Sequence, residues 1–166
     1  GGVSTFPLAE DGSRAVYQTP LDRDVLYGVA SDGSSARLQL NDARTSGPGL
    51  QVSRDGAWAV YVRGGALLYA VPTDGAGPPV LLSAPPPPGV SVPIDERFVL
   101  TPDSTRVLYG DGAGLHVVPI DGSAPDSFLL APTTPGSHYV YSFPSLGIGT
   151  YTVHVSTGSG LTGDVP

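Results

Sequence analysis

Cysteine, lysine and methionine are absent from the 166 residues, and all eight basic side chains are arginine. Without thiols there is no disulfide framework, no thiolate metal ligand and no cysteine nucleophile. Charge is sparse: charged residues make up 14% of the chain, and acids outnumber bases to leave a net charge of -7 and a pI near 4.5. Such a chain repels phosphate and anionic lipid and lacks the basic stripe that nucleic acid requires, so no nucleic-acid partner is expected. No apolar run approaches the roughly 18 residues of a membrane-spanning helix, and the basic start of a signal peptide is missing, so no membrane insertion is expected. The chain opens on Gly1-Gly2 without a methionine, which points to processing or excision. Helical periodicity is missing as well, because Gly or Pro interrupts every candidate stripe of apolar residues at i, i+3, i+4 and i+7. Almost no helix is expected.

What the sequence does have is glycine and proline, 23 and 18 residues, a level at which disorder competes with folding. Against disorder stand the 40% apolar content, the low charge and a repeat. The length suits one domain that buries a core without staples.

The repeat is a turn, an apolar-aromatic run, a second apolar run and an Asp-Gly turn. In the first unit these read Glu10-Asp11-Gly12-Ser13-Arg14-Ala15-Val16-Tyr17, Val25-Leu26-Tyr27-Gly28-Val29 and Ser31-Asp32-Gly33-Ser34. The second reads Ser53-Arg54-Asp55-Gly56-Ala57-Trp58-Ala59-Val60-Tyr61, Leu67-Leu68-Tyr69-Ala70-Val71 and Thr73-Asp74-Gly75. The third reads Thr101-Pro102-Asp103-Ser104-Thr105-Arg106-Val107-Leu108-Tyr109, Leu115-His116-Val117-Val118-Pro119 and Ile120-Asp121-Gly122-Ser123. Tyr17, Tyr61 and Tyr109 recur at intervals of 44 and 48 residues, the period of propeller blades. The longer interval contains Pro85-Pro86-Pro87-Pro88, which cannot continue a ladder and reads as a stiff surface connector.

Asp and Gly tolerate the positive φ that tight primed turns demand, so each Asp-Gly marks a hairpin. Each unit has room for four short strands; in the second they are expected near Leu50 to Ser53, Trp58 to Val62, Leu67 to Val71 and Val80 to Ser83. The fold class is therefore all-β, with four-stranded propeller-type blades in three clear repeats and a degenerate partial fourth. The blades run over about residues 3–44, 49–84 and 95–131, with a proline-rich loop at 85–89. These units resemble the PD40 repeats of TolB-like β-propellers, whose consensus holds a Ser-Pro-Asp-Gly turn. Ala9-Glu10-Asp11-Gly12, Ser53-Arg54-Asp55-Gly56 and Thr101-Pro102-Asp103-Ser104 each depart from that turn at one or two positions. The resemblance covers roughly residues 3–131 and implies four-stranded blades, without implying the activity of any one member.

Residues 137–166 hold a partial blade or closing strands. Ser137 to Phe143 alternates as a strand, Pro144-Ser145-Leu146-Gly147 stands where an Asp-Gly turn belongs, and Thr150 to Val155 alternates again. Closed propellers typically have about four to eight blades. This chain therefore reads as part of a longer propeller, half of a two-copy ring, or a compact four-bladed form.

No catalytic residue, cofactor site or metal site emerges. There is no G-x-S-x-G elbow, and Ser156-Thr157-Gly158-Ser159-Gly160 reads as a polar turn. His116, His138 and His154 lie at spacings of 22 and 16 residues that match no local ligand motif, and scattered strand histidines read as surface or cross-strand residues. Asp22, Asp24 and Asp111 put carboxylates in loops, but the D-x-[DN]-x-[DN]-G calcium loop is absent and hairpin turns account for them. Tyr17, Tyr27, Tyr61, Tyr69 and Tyr109, with Trp58, read as packing between blades; a ligand-stacking ladder is the sharper alternative. The expectation is a non-enzymatic protein-binding or scaffolding module from a bacterial secreted, periplasmic or cell-surface protein, with a protein partner or self-association. An accessory propeller of a prolyl-oligopeptidase-type enzyme, with its catalytic domain outside this chain, is one alternative, and a carbohydrate-binding propeller is another. The ligand-binding residues are unknown.

Overall fold

The computed structural model describes residues 6–18, 25–41, 49–85, 94, 98–111, 114–130, 139–140, 154–157 and 162–164. Among these residues there is no helix, as the missing 3.6-residue period requires. In the described residues fourteen strands form four antiparallel sheets, each with its strands in chain order. The first sheet holds β1 (Arg14–Gln18), β2 (Leu26–Ala30) and β3 (Leu38–Gln39). The second holds β4 (Leu50–Val52), β5 (Trp58–Arg63), β6 (Leu67–Pro72) and β7 (Val80–Leu81). The third holds β8 (Phe98–Leu100), β9 (Arg106–Asp111), β10 (Gly114–Pro119) and β11 (Ser127–Leu130). The last holds β12 (Tyr139–Val140), β13 (His154–Thr157) and β14 (Thr162–Asp164).

The first sheet has three strands where four were expected. Its missing strand survives as a bridge between Leu8 and Ala15, flanked by Ala9 N–H donating to the Arg14 carbonyl and Val16 N–H to that of Pro7. In the tail, Ser156 and Thr157 are strand residues rather than turn, because Thr157 pairs with Tyr139 and Ser156 with both Val140 and Thr162. The expected strand at Thr150 to Val155 is described only from His154, and Pro144 to Gly147 lie outside the described residues.

The alternation of side chains along the strands produces two cores. Ala59, Tyr61 and Val71 of the second sheet pack with Val16, Leu26 and Leu40 of the first. Val60, Val62, Leu68 and Ala70, one residue out of phase, pack with Phe98, Val107, Tyr109 and Val118 of the third. The second sheet is thus covered on both faces, which accounts for the run of four buried residues from Ala59 to Val62. The first three sheets stack face to face in chain order.

The repeated turn is not a primed one. Gly12 and Gly56 have φ near 71°, but Asp11 and Asp55 are not left-handed. Instead a four-residue loop closes between Ala9 and Arg14, with Ala9 N–H donating to the Arg14 carbonyl and Gly12 N–H to that of Ala9. The aspartate fixes the loop by accepting from the backbone N–H two residues on: Ser13 to Asp11 at 2.8 Å, Ala57 to Asp55 at 3.1 Å and Thr105 to Asp103 at 3.1 Å. This is an Asx turn. In the third copy Ser104 takes the left-handed position with φ 61°.

These turns also join neighbouring sheets. Asp55 N–H donates to Ser104 Oγ at 3.2 Å, Arg14 donates to the Thr73 carbonyl at 3.0 Å, and Gln51 Nε2 donates to the Phe98 carbonyl at 2.6 Å. In the second and third sheets the glycine of the later Asp-Gly turn presses on the edge strand of the sheet before it. A Cβ on Gly75 would lie 2.3 Å from Leu38 Cδ2, and one on Gly122 would lie 2.4 Å from Val80 Cγ1.

Candidate functional site

The equivalent tyrosines are cross-strand partners. Tyr17 opposes Tyr27 and Tyr61 opposes Tyr69, with stacked rings 5.7 and 5.8 Å apart. In the third sheet the partner of Tyr109 is His116, stacked at 4.8 Å and 9°. His116 thus takes the place of Tyr27 and Tyr69, one residue earlier than the order of the sequence runs suggested. Tyr61 and Tyr109 are buried against the preceding sheet, while Tyr17, Tyr27 and Tyr69 are half-buried.

The residues around the ring change with it. Arg37, directly before the residue that pairs with Gly28, lies 4.6 Å over the Tyr27 ring. Arg63, two residues after Tyr61, lies 5.8 Å from the Tyr69 ring centroid. By register the third sheet has Asp126 where the first has Arg37, and Asp111 where the second has Arg63. Both aspartates bind His116: Nδ1 lies 2.7 Å from Asp126 Oδ2 and Nε2 lies 3.1 Å from Asp111 Oδ1. Cations over tyrosine faces have become carboxylates at the edge of a histidine.

The cluster is largely enclosed. The His116 side chain is 5% exposed, each aspartate side chain is 18% exposed, and Phe128 covers the ring at 4.4 Å. Asp126 also accepts from the Tyr109 hydroxyl at 3.1 Å, and Asp111 from Gly114 N–H at 3.0 Å. Burial favours neutral imidazole, but the hydrogen bonds and charges of Asp111 and Asp126 outweigh it and raise the His116 pKa above its ordinary value. Burial, followed by the Asp126 charge, raises that of Tyr109 well above the usual phenol value. The histidine was expected to be a surface or cross-strand residue; it is cross-strand and buried. Its described hydrogen-bond partners are carboxylates, and no hydroxyl nucleophile is among them.

Sequence spacing hides this cluster, since Asp111 and Asp126 lie 5 and 10 residues from His116. The departure from tyrosine in one repeat column was the available signal, and it needed the correct register. His138, Asp22 and Asp24 lie outside the described residues, and His154 is the first residue of β13. Among the described residues no group of three His, Cys, Asp or Glu is arranged to hold a metal ion.

Two other surfaces have functional potential. A cleft of about 400 Å³ lies between the turns of the first two sheets, lined by Arg14, Asp55, Trp58, Pro72, Thr73 and Asp74 among others. The edge strands carry large apolar side chains into solvent: Leu38 is 40% exposed, Leu81 39%, Phe128 55% and Leu129 43%.

No protein-family model and no curated protein matches the sequence. Solved structures do. KlAtg21, in its complex with the coiled-coil of AgAtg16, is 15% identical with a TM-score of 0.53, over 99% of this chain and 54% of that one. TolB from Acinetobacter baumannii is 14% identical with a TM-score of 0.53, over 98% of this chain and 43% of that one. The chain therefore spans about half the length of the solved structures it matches. At these identities the likeness shows the fold, and with the stacked four-stranded sheets it makes this chain a β-propeller module.

Proposed function

We propose that this chain is a TolB-like propeller module of a bacterial secreted, periplasmic or cell-surface protein, and that it binds or scaffolds protein without catalysing a reaction. The observation that carries this reading is the apolar side chain exposed on the edge strand of each of the first three blades: Leu38, Leu81, and Phe128 with Leu129. Repeated exposure of large apolar groups around a rim supports protein contact, either with a partner or with a second copy. Photo-crosslinkers placed at positions 81 and 128 should trap a partner or a second copy, while one at the exposed polar Ser34 should not. Equal labelling at all three positions, or none at 81 and 128, contradicts the proposal.

A second reading, a carbohydrate-binding propeller, draws on the cleft that combines half-buried Trp58 with Asp55 and Asp74. Glycan-array binding that disappears in a folded Trp58→Ala protein would favour it over the first.

A further inference from the structure

We propose that His116 is a proton-operated latch between the end of β9 and the loop before β11: with both ring nitrogens protonated it ties Asp126 to Asp111, and loss of one proton breaks its bond to Asp111. The geometry carries the argument. A carboxylate only accepts hydrogen bonds, so an imidazole bonded to two carboxylates must donate from both nitrogens, and only the imidazolium has two N–H groups. The distances of 2.7 and 3.1 Å place one carboxylate at each nitrogen.

Neutral imidazole has to surrender one of them. Nδ1 keeps its proton because its contact is the shorter, 2.7 against 3.1 Å. Nε2 then turns a lone pair on Asp111 Oδ1, and repulsion replaces a charge-assisted hydrogen bond. Asp111 ends β9, opposes Gly114 and accepts its N–H, so the lost bond is felt first at this pair.

Among the first three blades this is particular to the third. In the first two blades the ring is a tyrosine with Arg37 or Arg63 over its face, and no imidazole stands there. The third blade replaces ring and cations together, which puts a titratable ring between two anions. The groups facing His116 are Tyr109 and Asp111 from β9 and Asp126 with Phe128 from β11 and the loop before it. Beyond Tyr109 lie Phe98 of β8 and apolar side chains of the second blade, including Val60, Val62 and Leu68. The charged groups at the ring, among the described residues, are the two aspartates.

A pH titration of the ¹⁵N-labelled chain, following the two His116 ring nitrogens and the backbone amides of Asp111 and Gly114, tests the latch. Both nitrogens should be protonated at low pH, and Nδ1 alone above a midpoint higher than 6.5, with the amides of Asp111 and Gly114 shifting at that midpoint. Asp111→Asn should lower the midpoint by about one pH unit and uncouple the Gly114 amide from it. A retained Nε2 proton, a midpoint at or below 6.5, or Asp111 and Gly114 amides that ignore the titration overturns the proposal on the wild-type chain alone.

Discussion

Asp126 holds in the third blade the register position that Arg37 holds in the first, and each lies against the aromatic ring at the centre of its blade. Arg37 sits on the face of Tyr27, where a ring attracts a cation. Asp126 meets the ring edge at His116 Nδ1, where a proton can be donated. The same backbone position thus serves opposite charges because the ring beside it changes from a π-face acceptor to an edge donor.

The Tyr109 hydroxyl and ring should separate by mutation. Tyr109→Phe keeps the stack on His116 and loses the bond to Asp126, and should cost about 1 kcal/mol in chemical denaturation. Tyr109→Ala empties a site that is 1% exposed and should cost about 3–5 kcal/mol.

Stability should decline with alkalinity through this cluster. The His116 pKa is raised in the folded chain, so its contribution is complete below the unfolded value of 6.5 and is lost as pH rises through the folded value. Tyr109 has the same sign, with its loss beginning above 10. Denaturation midpoints measured from pH 6 upward should fall in the wild type and fall less between about pH 6.5 and 9 in His116→Tyr, which restores the ring of the other blades.

The Asx turns act in the opposite direction. The Thr101 hydroxyl, followed by the Thr105 N–H, holds the Asp103 pKa below 3.8. The resulting stability is present above 3.8 and is lost as pH falls through the folded value. Thr101→Val should return the Asp103 pKa toward 3.8 in an NMR titration, while Asp121, lowered chiefly by the Ser123 N–H in another turn, should not move.

Ser104 is a compromise between backbone and side chain. Its φ of 61° is glycine's territory, but its Oγ accepts from Asp55 N–H in the neighbouring blade. Ser104→Ala keeps the strain and loses the bond, and should cost about 1 kcal/mol. Ser104→Gly relieves one while losing the other and should stay within about 0.5 kcal/mol of wild type.

The parts of this fold that were legible in the sequence are those governed by neighbours in the chain. Asp55 and Gly56 mark where their turn falls, though not that it is an Asx turn. The apolar-aromatic run from Trp58 to Val62 marks a strand that reads as half-buried; its cover on both faces comes from the sheets on either side. Register was less legible: the β10 run begins with Leu115 opposite Gly110, which aligns it with Leu68 rather than Leu67 and brings His116, not Val117, opposite Tyr109. That single step concealed the His116 cluster, because its carboxylates converge only once β9, β10 and the loop before β11 are in place. The last sheet was half legible, since Ser156 and Thr157 belong to a strand through pairings that their polar, glycine-flanked sequence does not advertise.

The blades are stacked so that a turn of one presses on the edge strand of the one before, and Gly122 against Val80 measures this directly. Gly12 has a similar φ but open space around it, so Gly12→Ala should cost only backbone strain, about 1 kcal/mol. Gly122→Ala adds a clash with Val80 Cγ1 and should cost about 1–3 kcal/mol more. In a double-mutant cycle by chemical denaturation, Val80→Ala should recover part of that excess, giving an interaction energy of about 1 kcal/mol or more. Additive effects, with Gly122→Ala no worse than Gly12→Ala, would contradict the stacking of the second and third blades.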